Sequence, residues 1–387
     1  MDIMVGVLVK PDAHQKLRIL SADAQYDLAC ACSGEKDEHR KRGADGRWIY
    51  PVTLPDGGKS TLFKTLISNV CNSDCKYCPL RYEQDIRRCS LTPRETADVF
   101  LDYYNRREVF GLFLSSGVCV SPDAAMQRLI DTAELLRKKH DFRGYIHLKV
   151  IPGASDAAVE KALSVANAVS LNIETPGEKP LAKLSKKKNF IRDIVEPMKL
   201  ISRLTSPGSK YHRVKQTTQF VVGAAEETDG QIVKYMAALY DRLNVNRIYF
   251  SAYQKQQGDE SFKSSFFSNE QSSMQSKTTG FVREHRLYQV DFLLRRYGFR
   301  ASDILFGRDG NLSLDIDPKQ TWALKHPEAF PVNPNYASPS QLLKVPGIGP
   351  ITVRKILQRR RGARLTSLHD IARYSATLRK AEKYLVF

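Results

Sequence analysis

Short apolar runs alternate with longer amphipathic stretches between residues 60 and 255. Runs such as STLFKTLIS, VFGLFLSSG, GYIHLKVIPG and TTQFVVGAA are typical of buried strands, whereas DAAMQRLIDTAELLRKKH and DGQIVKYMAALYDRL carry apolar residues at helical spacing. Strands that alternate with helices indicate βαβ units and a parallel sheet. The pattern predicts an α/β fold with six strands, which fits an open or partial barrel better than a closed eight-stranded one.

The alternating pattern is absent before residue 60 and changes again after residue 253. Residues 1–60 combine one helical stretch with a polar, Gly-containing segment. Residues 254–280 are rich in Ser and Gln, and such a long connection predicts a mobile loop, either a disordered insert or an active-site lid. A strong helix pattern follows at 281–297, and a Pro/Asn/Ser linker begins at 331. The predicted domains are an N-terminal extension (1–60), a barrel (61–330) and a C-terminal module (331–387).

The chain is strongly basic, with 60 Lys and Arg against 42 Asp and Glu and a net charge of +18. Such an excess favours a polyanionic partner, most simply nucleic acid, although a basic surface that only serves solubility is the alternative. Residues 331–387 contain eleven basic and two acidic residues, which is half of the whole excess. This concentration predicts a dedicated anion-binding module in the tail.

Hydrophobic runs, the N-terminal residues and the cysteine content indicate the cellular compartment. No stretch approaches about 18 uninterrupted apolar residues, and the first residues lack the basic region and cleavage site of a secretory signal. Seven cysteines, three of them clustered, indicate metal binding in a reducing compartment rather than a disulfide framework. We therefore expect a cytoplasmic protein without a membrane partner.

The clustered cysteines carry the strongest chemical signal. Cys71, Cys75 and Cys78 form a C-x3-C-x2-C motif after the first predicted strand, with Tyr77 before the last cysteine. Thiolates hold iron–sulfur clusters, and a cubane with three protein ligands leaves one iron open. An open iron can chelate S-adenosylmethionine (SAM), whose reductive cleavage yields a 5′-deoxyadenosyl radical. A zinc site that lacks one ligand and three unrelated thiols are the alternatives.

A motif of this kind after the first strand of a partial barrel resembles the radical SAM superfamily. The resemblance implies a partial (β/α)6 barrel, a [4Fe–4S] cluster on the three cysteines, SAM, and an electron donor such as flavodoxin or ferredoxin. LSSG, SLNIETPG, FVVGAAEETD and YFSAY stand where this family's SAM-contacting strand ends occur. The cofactor-binding residues that the resemblance implies are Tyr77, Ser115, Ser116, Gly117, Asn172, Glu174, Gly223, Ser251 and Tyr253.

The tail sequence VPGIGPITVRKIL predicts a short hairpin that leads into a helix. Glycines allow a tight turn and a close approach, Pro350 suits a first helical turn, and free N–H groups at a helix N-terminus bind phosphate. The segment is similar to the helix-hairpin-helix family of non-sequence-specific DNA binders, and a helical turn with Gly caps is the alternative. The predicted nucleic-acid-binding residues are Gly347, Gly349, Arg354, Lys355, Arg359 and Arg360.

The order of segments over nearly the whole chain resembles one subfamily, the radical SAM proteins with a C-terminal helix-hairpin-helix that are assigned to DNA modification or repair. This resemblance implies DNA as the substrate and a uracil-DNA-glycosylase-like protein, often encoded nearby, as a partner. The chain departs from the subfamily at HRVKQTTQ and at QKQQ after YFSAY. Both departures leave the SAM site intact and concern the substrate.

Lys149 and Cys30 are the candidates for residues that act on the substrate. Lys149 alternates with His147 on one face of the third predicted strand, where a lysine without a role would be costly. The related subfamily also has a cysteine near position 30, although a lone buried thiol is the alternative. The run Lys186-Lys187-Lys188, in contrast, is typical of a solvated face.

The leading hypothesis is a radical SAM enzyme that modifies or repairs a nucleotide in nucleic acid, with DNA ahead of RNA. A tRNA- or RNA-modifying radical SAM enzyme is one alternative. A non-catalytic iron–sulfur sensor that binds nucleic acid is the other.

Overall fold

The computed structural model describes residues 11–26, 48–53, 58–253, 273–371 and 375–387. They form two compact units. The first contains the described residues of Met1–Glu227 and Leu239–Gly280, and the second those of Thr228–Ala238 and Phe281–Phe387. The predicted domain boundaries stay predictions, and the unit that holds the tail also includes residues 281–330.

The described part of the first unit holds a seven-stranded sheet whose strand order follows the sequence. The strands are β1 (Ile49–Thr53), β2 (Lys59–Leu66), β3 (Gly111–Ser115), β4 (Tyr145–Lys149), β5 (Ala168–Ser170), β6 (Lys215–Val222) and β7 (Arg247–Ala252). From β2 to β7 every pairing is parallel, so the predicted α/β partial barrel is confirmed. β1 was not predicted; it pairs antiparallel with β2 at the sheet edge, where Pro51 is tolerated.

Helices connect the strands, as the amphipathic stretches predict. In the first unit and its connections they are α1 (Ala13–Asp23), α2 (Pro93–Asn105), α3 (Pro122–Glu134), α4 (Asp156–Val165), α5 (Glu178–Leu184), α6 (Glu196–Thr205) and α7 (Asp229–Leu243). A π-helical turn, Leu135–Lys139, extends α3, and a second one, Ile191–Val195, precedes α6. Among the described residues, no helix has the length and apolar character needed to span a membrane.

The helix after the polar connection begins earlier than predicted. α8 spans Ser273–Arg296, so the backbone of residues 273–280, which were predicted as part of a mobile loop, is helical. Adding a turn to an existing helix costs far less than nucleating one, and this stretch contains no proline. The rest of the predicted insert, residues 254–272, lies outside the described residues.

The second unit is helical, as expected for the tail. After α8 come α9 (Pro318–Lys325), α10 (Pro339–Lys344), α11 (Pro350–Arg359) and α12 (Ala376–Arg379). A tight turn joins α10 to α11, and the buried residues around it share one apolar core with α12: Leu342, Val345, Ile348, Val353, Ile356 and Leu378. Helix–turn–helix packing of this kind brings the two hairpin helices together through their apolar faces.

A buried lysine supports the α10–α11 turn. Lys319 on α9 donates from Nζ to the Ile348 carbonyl at 2.5 Å, and its ammonium lies 4.6 Å from the centroid of the Tyr297 ring. The side chain is nearly buried, and this burial lowers the pKa of Lys319 to about 7. At neutral pH the turn therefore rests on a group that is close to losing its charge.

We expect the Lys319→Met variant to change how stability depends on pH. Because the folded-state pKa of Lys319 is about 7 and the ordinary value is 10.5, the unfolded chain binds more protons between these pH values. In the parent protein, the free energy of unfolding should therefore rise with pH above 7, by on the order of 2 kcal/mol up to pH 9. Below pH 7, Lys319 is charged in the folded protein, and the full free-energy cost of burying that charge reduces the stability.

The measurement is denaturant unfolding at several pH values, followed by Trp322 fluorescence in a Trp48→Phe background, since the chain has two tryptophans. Lys319→Met should show a flatter pH dependence than the parent. Lys325→Met, on the exposed side of the same helix, should keep the parent's slope. Equal slopes for the parent and Lys319→Met would contradict the assignment.

Candidate active site

A cavity of about 440 Å³ opens at the carboxyl ends of the parallel strands. Ser115 at the end of β3, Lys149 at the end of β4 and Ser251 on β7 all line it. Ligands of open α/β sheets bind at this edge. The strand ends thus bring together side chains that are far apart in the sequence.

The cysteine loop forms one wall of this cavity. Cys71, Cys75 and Cys78 all line it and none is in a disulfide. The backbone N–H of Ser73 donates to Cys71 Sγ at 3.5 Å, and that of Leu80 donates to Cys78 Sγ at 3.4 Å. N–H donors aimed at sulfur stabilise thiolates and tune iron–sulfur clusters.

Gly117 allows the end of β3 to approach this loop. Its N–H donates to the Ser68 carbonyl at 2.7 Å, and the Val118 carbonyl accepts from the Asn72 N–H at 2.8 Å. A Cβ at Gly117 would lie 2.5 Å from the Val70 carbonyl oxygen. Only glycine therefore lets the LSSG segment pack against the cysteine loop at this distance.

The electrostatics of the wall are set by three thiols and one lysine. Burial raises the pKa of Cys75 and of Cys78, and the charges of neighbouring cysteines raise both further. The ammonium of Lys188 acts in the opposite direction on both. Burial alone would lower the pKa of Lys188, but the charges of Cys75 and Glu174 outweigh it and raise that pKa.

The donor set fits a cubane with three protein ligands. Three thiols face one cavity, N–H groups are directed at two of the sulfurs, and a cation lies nearby to balance their negative charge. Within the described ranges, no three His, Cys, Asp or Glu side chains converge so as to hold a single metal ion. In a cubane each thiolate binds a different iron, so three thiolates need not converge on one centre.

A second set of side chains crosses the cavity from the strand ends. Lys149 Nζ donates to Asn172 Oδ1 at 2.6 Å, and Asn172 Nδ2 lies 3.5 Å from Glu174 Oε2. On the other side of Glu174, Lys188 Nζ lies 3.9 Å from Oε1 and donates to the Tyr77 hydroxyl at 2.9 Å. Cations and hydrogen-bonding groups thus alternate around one buried carboxylate.

Glu174 has an unusual backbone. Its φ is +63°, a region that non-glycine residues rarely adopt. The conformation is held because the Glu174 N–H donates to the Gln219 carbonyl at 3.0 Å and its carbonyl accepts from the Val221 N–H at 2.8 Å. Strained backbone that is fixed by its surroundings occurs preferentially at functional sites, and here it turns a buried carboxylate into the cavity.

The structure gathers most of the residues that were predicted to bind cofactor. Those that line the cavity are Tyr77, Ser115, Ser116, Gly117, Asn172, Glu174, Ser251 and Tyr253. Gly223 does not line it: its φ is +84°, and its N–H donates to the buried Glu227 carboxylate. Of the two predicted catalytic residues, Lys149 lines the cavity, and Cys30 lies outside the described residues.

Lys188 and Asp23 are among the cavity residues that sequence reasoning missed. The run 186–188 was predicted to be a solvated face, but only Lys186 and Lys187 are exposed, and the side chain of Lys188 is 14% exposed. Asp23 at the end of α1 also lines the cavity; it accepts from Asn69 Nδ2 at 2.7 Å, and burial raises its pKa. No local pattern marks either residue, since their partners are distant in sequence.

The predicted nucleic-acid-binding residues of the tail divide into exposed and structural ones. Arg354 and Lys355 on α11 are exposed. Arg359 is also exposed and donates to the Asp370 carbonyl. Arg360 is half-buried and donates to the carbonyls of Pro334 and Ala337 at 3.1 and 2.7 Å, so its guanidinium ties the linker to α11.

The two hairpin glycines have different surroundings. Gly349 is the N-cap residue of α11, whose first turn contains Pro350 as predicted. Gly347 has a φ of +85°, and a Cβ there would lie 2.3 Å from the Thr377 carbonyl oxygen. The close approach that this glycine allows in the structure is to the chain's own backbone, and its predicted contact with nucleic acid stays a prediction.

A known protein family matches a part of the chain that contributes most of the residues lining the cavity. Residues 65–239 match the sequence profile of the Radical SAM superfamily. This range contains the three cysteines and most of the predicted cofactor-binding residues. No protein of curated function matches the sequence.

Solved structures similar to this chain are distant in sequence. The FeFe-hydrogenase maturase HydG from Carboxydothermus hydrogenoformans is 16% identical, with 58% of this chain and 51% of that chain covered and a TM-score of 0.42. Methylornithine synthase (PylB) is 13% identical, with 63% of this chain and 61% of that chain covered and a TM-score of 0.41. TsrM from Kitasatospora setae, a radical S-adenosylmethionine methyltransferase, is 14% identical, with 50% and 34% covered and a TM-score of 0.39. The chain spans about half the length of the maturase that it matches.

Proposed function

We propose, from the premise that the chain carries a radical SAM domain in residues 65–239, that it modifies or repairs a nucleotide in nucleic acid, and in DNA before RNA. A radical SAM domain uses a [4Fe–4S] cluster and SAM, and the donor set of the cavity fits both. The observation that carries the choice of substrate is the exposed basic surface of the second unit. We also propose that the tail is the helix-hairpin-helix module of the DNA-modification and repair subgroup.

The cluster would be held by the thiolates of Cys71, Cys75 and Cys78. When bound, the cluster and SAM together supply a 5′-deoxyadenosyl radical. The N–H groups of Ser73 and Leu80 would stabilise the sulfurs, because each already points at a cysteine Sγ. A reductant such as flavodoxin or ferredoxin would supply the electron.

Lys188 and Glu174 would orient SAM. The ammonium of Lys188 is held by Tyr77 and Glu174, so it offers a fixed cation to a carboxylate in the cavity. The carboxylate of Glu174, fixed by its strained backbone, would accept hydrogen bonds from hydroxyl or amino groups. Ser115 and Ser116 at the end of β3 add hydroxyls to the same wall.

Lys149 would act on the substrate side. Its ammonium is buried and bonded to Asn172, and a buried cation favours an anionic or electron-rich group of the substrate next to it. Through Asn172 it is also connected to Glu174. Lys149 would thus connect the SAM-orienting residues with the substrate.

We expect Lys188→Met to weaken SAM binding by roughly ten- to a hundred-fold, the usual effect of losing a charge-assisted hydrogen bond. Lys186→Met is the matched control, because Lys186 belongs to the same run but is exposed. Binding is measured by anaerobic equilibrium dialysis with reconstituted protein of known iron content. An unchanged SAM affinity in the Lys188 variant at full iron content would exclude this role.

The exposed basic residues of the second unit support nucleic acid as the substrate. Arg354, Lys355, Arg361 and Arg364 are exposed on α11 and the segment after it. Their surface continues from the N-terminal turn of α11, where N–H groups can bind phosphate. Phosphate contacts of this kind position a protein on nucleic acid without reading its sequence.

One experiment separates the proposal from its rivals. Reconstituted protein is supplied anaerobically with SAM and a reductant, and 5′-deoxyadenosine is measured with no nucleic acid, with duplex and single-stranded DNA, and with tRNA. We expect DNA to stimulate cleavage most and to acquire a mass change. Greater stimulation by tRNA would make the chain an RNA-modifying enzyme, and binding without any cleavage would make it a sensor. Co-purification would test the uracil-DNA-glycosylase-like partner.

A further inference from the structure

The size of the cavity limits where a nucleotide can bind. About 440 Å³ is near the lower end of the range for ligand cavities, roughly 300–1,000 Å³. SAM and a cubane would occupy much of this space. A substrate nucleotide must then make many of its contacts at the mouth, which we define by the exposed lining residues Asn72, Gly153, Lys187 and Arg192.

Exposed apolar side chains surround this mouth. Among the described residues of the first unit, the exposed large apolar side chains are those of Val70, Tyr82, Val120 and Ile191. Val70 and Ile191 directly precede the lining residues Cys71 and Arg192, and Asn72 Nδ2 donates to the Val120 carbonyl at 3.3 Å. Apolar groups that are exposed together mark an interaction surface.

Tyr82 is the aromatic member of this set and is fixed beside the mouth. The residue is 52% exposed, and its backbone N–H donates to the Ser73 carbonyl in the cysteine loop at 3.0 Å. Lys187 Nζ lies 4.5 Å from the ring centroid and donates to the Asn72 carbonyl at 2.5 Å. Tyr82 is therefore attached to Ser73 through its backbone and to Lys187 through its ring, and both of these residues line the cavity.

The charges at the mouth are nearly balanced. Arg192 pairs with Asp193 at 2.6 Å, and next to Tyr82 the exposed Glu83 carboxylate lies 3.4 Å from Arg81. Lys187 is the exposed lysine among the lining residues of the mouth. A ligand recognised mainly through phosphates would need more positive charge at the mouth. A flat apolar ring with one adjacent anionic group fits this site better, because Tyr82 offers an aromatic face and Lys187 offers one positive charge.

We infer that the mouth binds an unstacked nucleobase and that Tyr82 is the residue on which this base stacks. The inference rests on the proposed function and adds the form of the substrate: a single strand, or a nucleotide that has left the duplex. A base inside a duplex cannot reach a concave site, so enzymes that act on bases take them out of the stack. Stacking on an aromatic ring tolerates any base.

The test compares wild type, Tyr82→Ala and Tyr82→Phe in binding a short single-stranded oligodeoxynucleotide that contains one 2-aminopurine. Phe292→Ala is the matched control, because Phe292 is also an exposed aromatic residue with a cation, Arg295, over its ring at 5.3 Å. Affinity and 2-aminopurine fluorescence are measured anaerobically with the reconstituted protein and SAM.

Tyr82→Ala should bind about ten-fold more weakly and should lose the fluorescence quenching that stacking causes, while Tyr82→Phe and Phe292→Ala stay close to wild type. Equal affinity and quenching in wild type and Tyr82→Ala would overturn the inference and leave the proposed function standing. If wild type bound no oligonucleotide, the proposed function itself would fail.

Discussion

Replacement of Cys75 by alanine will remove the iron–sulfur cluster and with it all reductive cleavage of SAM. Cys75 is the buried member of the cysteine loop, and a cubane that already has one open iron cannot keep its place with two thiolates. We expect iron and sulfide contents near zero, no absorption from thiolate–iron charge transfer, and no 5′-deoxyadenosine. Iron analysis, absorption spectra and product chromatography after anaerobic reconstitution measure these effects.

Cys89→Ser is the control for this prediction. Cys89 is half-buried and does not line the cavity; its Sγ lies 3.8 Å from the Lys16 carbonyl. The control should keep the cluster and the cleavage rate of wild type. A Cys75→Ala protein with a complete [4Fe–4S] spectrum and normal SAM cleavage would refute the ligand assignment.

The parts of the site that lie close together in sequence were predictable. The cysteine spacing predicts a cluster loop because three candidate ligands fall on one short segment after a strand, and all three line one cavity. The strand ends at Ser115 and Glu174 were located because buried parallel strands are continuous apolar runs. Local patterns of this kind fix which residues can meet at one edge of a sheet.

The parts that depend on long-range packing were not predictable. Lys188 belongs to a basic run, and it turns inward because Asp74 accepts from Ser185 Oγ at 2.5 Å and from the Lys186 N–H at 2.9 Å. Its partner Tyr77 is 111 residues away. The positive φ of Glu174 likewise depends on backbone bonds to β6. Neither effect has a signature in the local sequence.

The tail illustrates a different limit. Composition identified a basic module, but charge alone does not separate a surface residue from one that holds the fold together. Arg360 follows Arg359 in the same run, yet its guanidinium is committed to the linker carbonyls. The long aliphatic stem of arginine lets it pack inside while its head satisfies backbone oxygens. Of the predicted contacts, Arg354, Lys355 and Arg359 are exposed, but Arg359 donates to the Asp370 carbonyl, so a test is best built on Arg354 and Lys355.

Reversal of both charges, in Arg354→Glu/Lys355→Glu, should lower the affinity for DNA by on the order of a hundred-fold at low salt. Two phosphate contacts would be lost and two repulsions added at the N-terminal part of α11. In a plot of the logarithm of the DNA association constant against the logarithm of the salt concentration, the magnitude of the slope should fall by about one per residue, because fewer counterions are released on binding. Fluorescence anisotropy with labelled duplex and single-stranded DNA, over a series of salt concentrations, gives both quantities.

The matched control is Arg308→Glu/Lys325→Glu, which changes the net charge by the same amount at two exposed positions of the same unit outside the hairpin. If the excess of basic residues attracts DNA only through the net positive charge of the protein, both double variants should weaken DNA binding equally, since this long-range attraction depends on net charge. If α11 contacts phosphates, only the hairpin variant should show the reduced salt slope. Equal slopes in the two variants would therefore remove the hairpin from the DNA interface, whatever the SAM chemistry of the barrel.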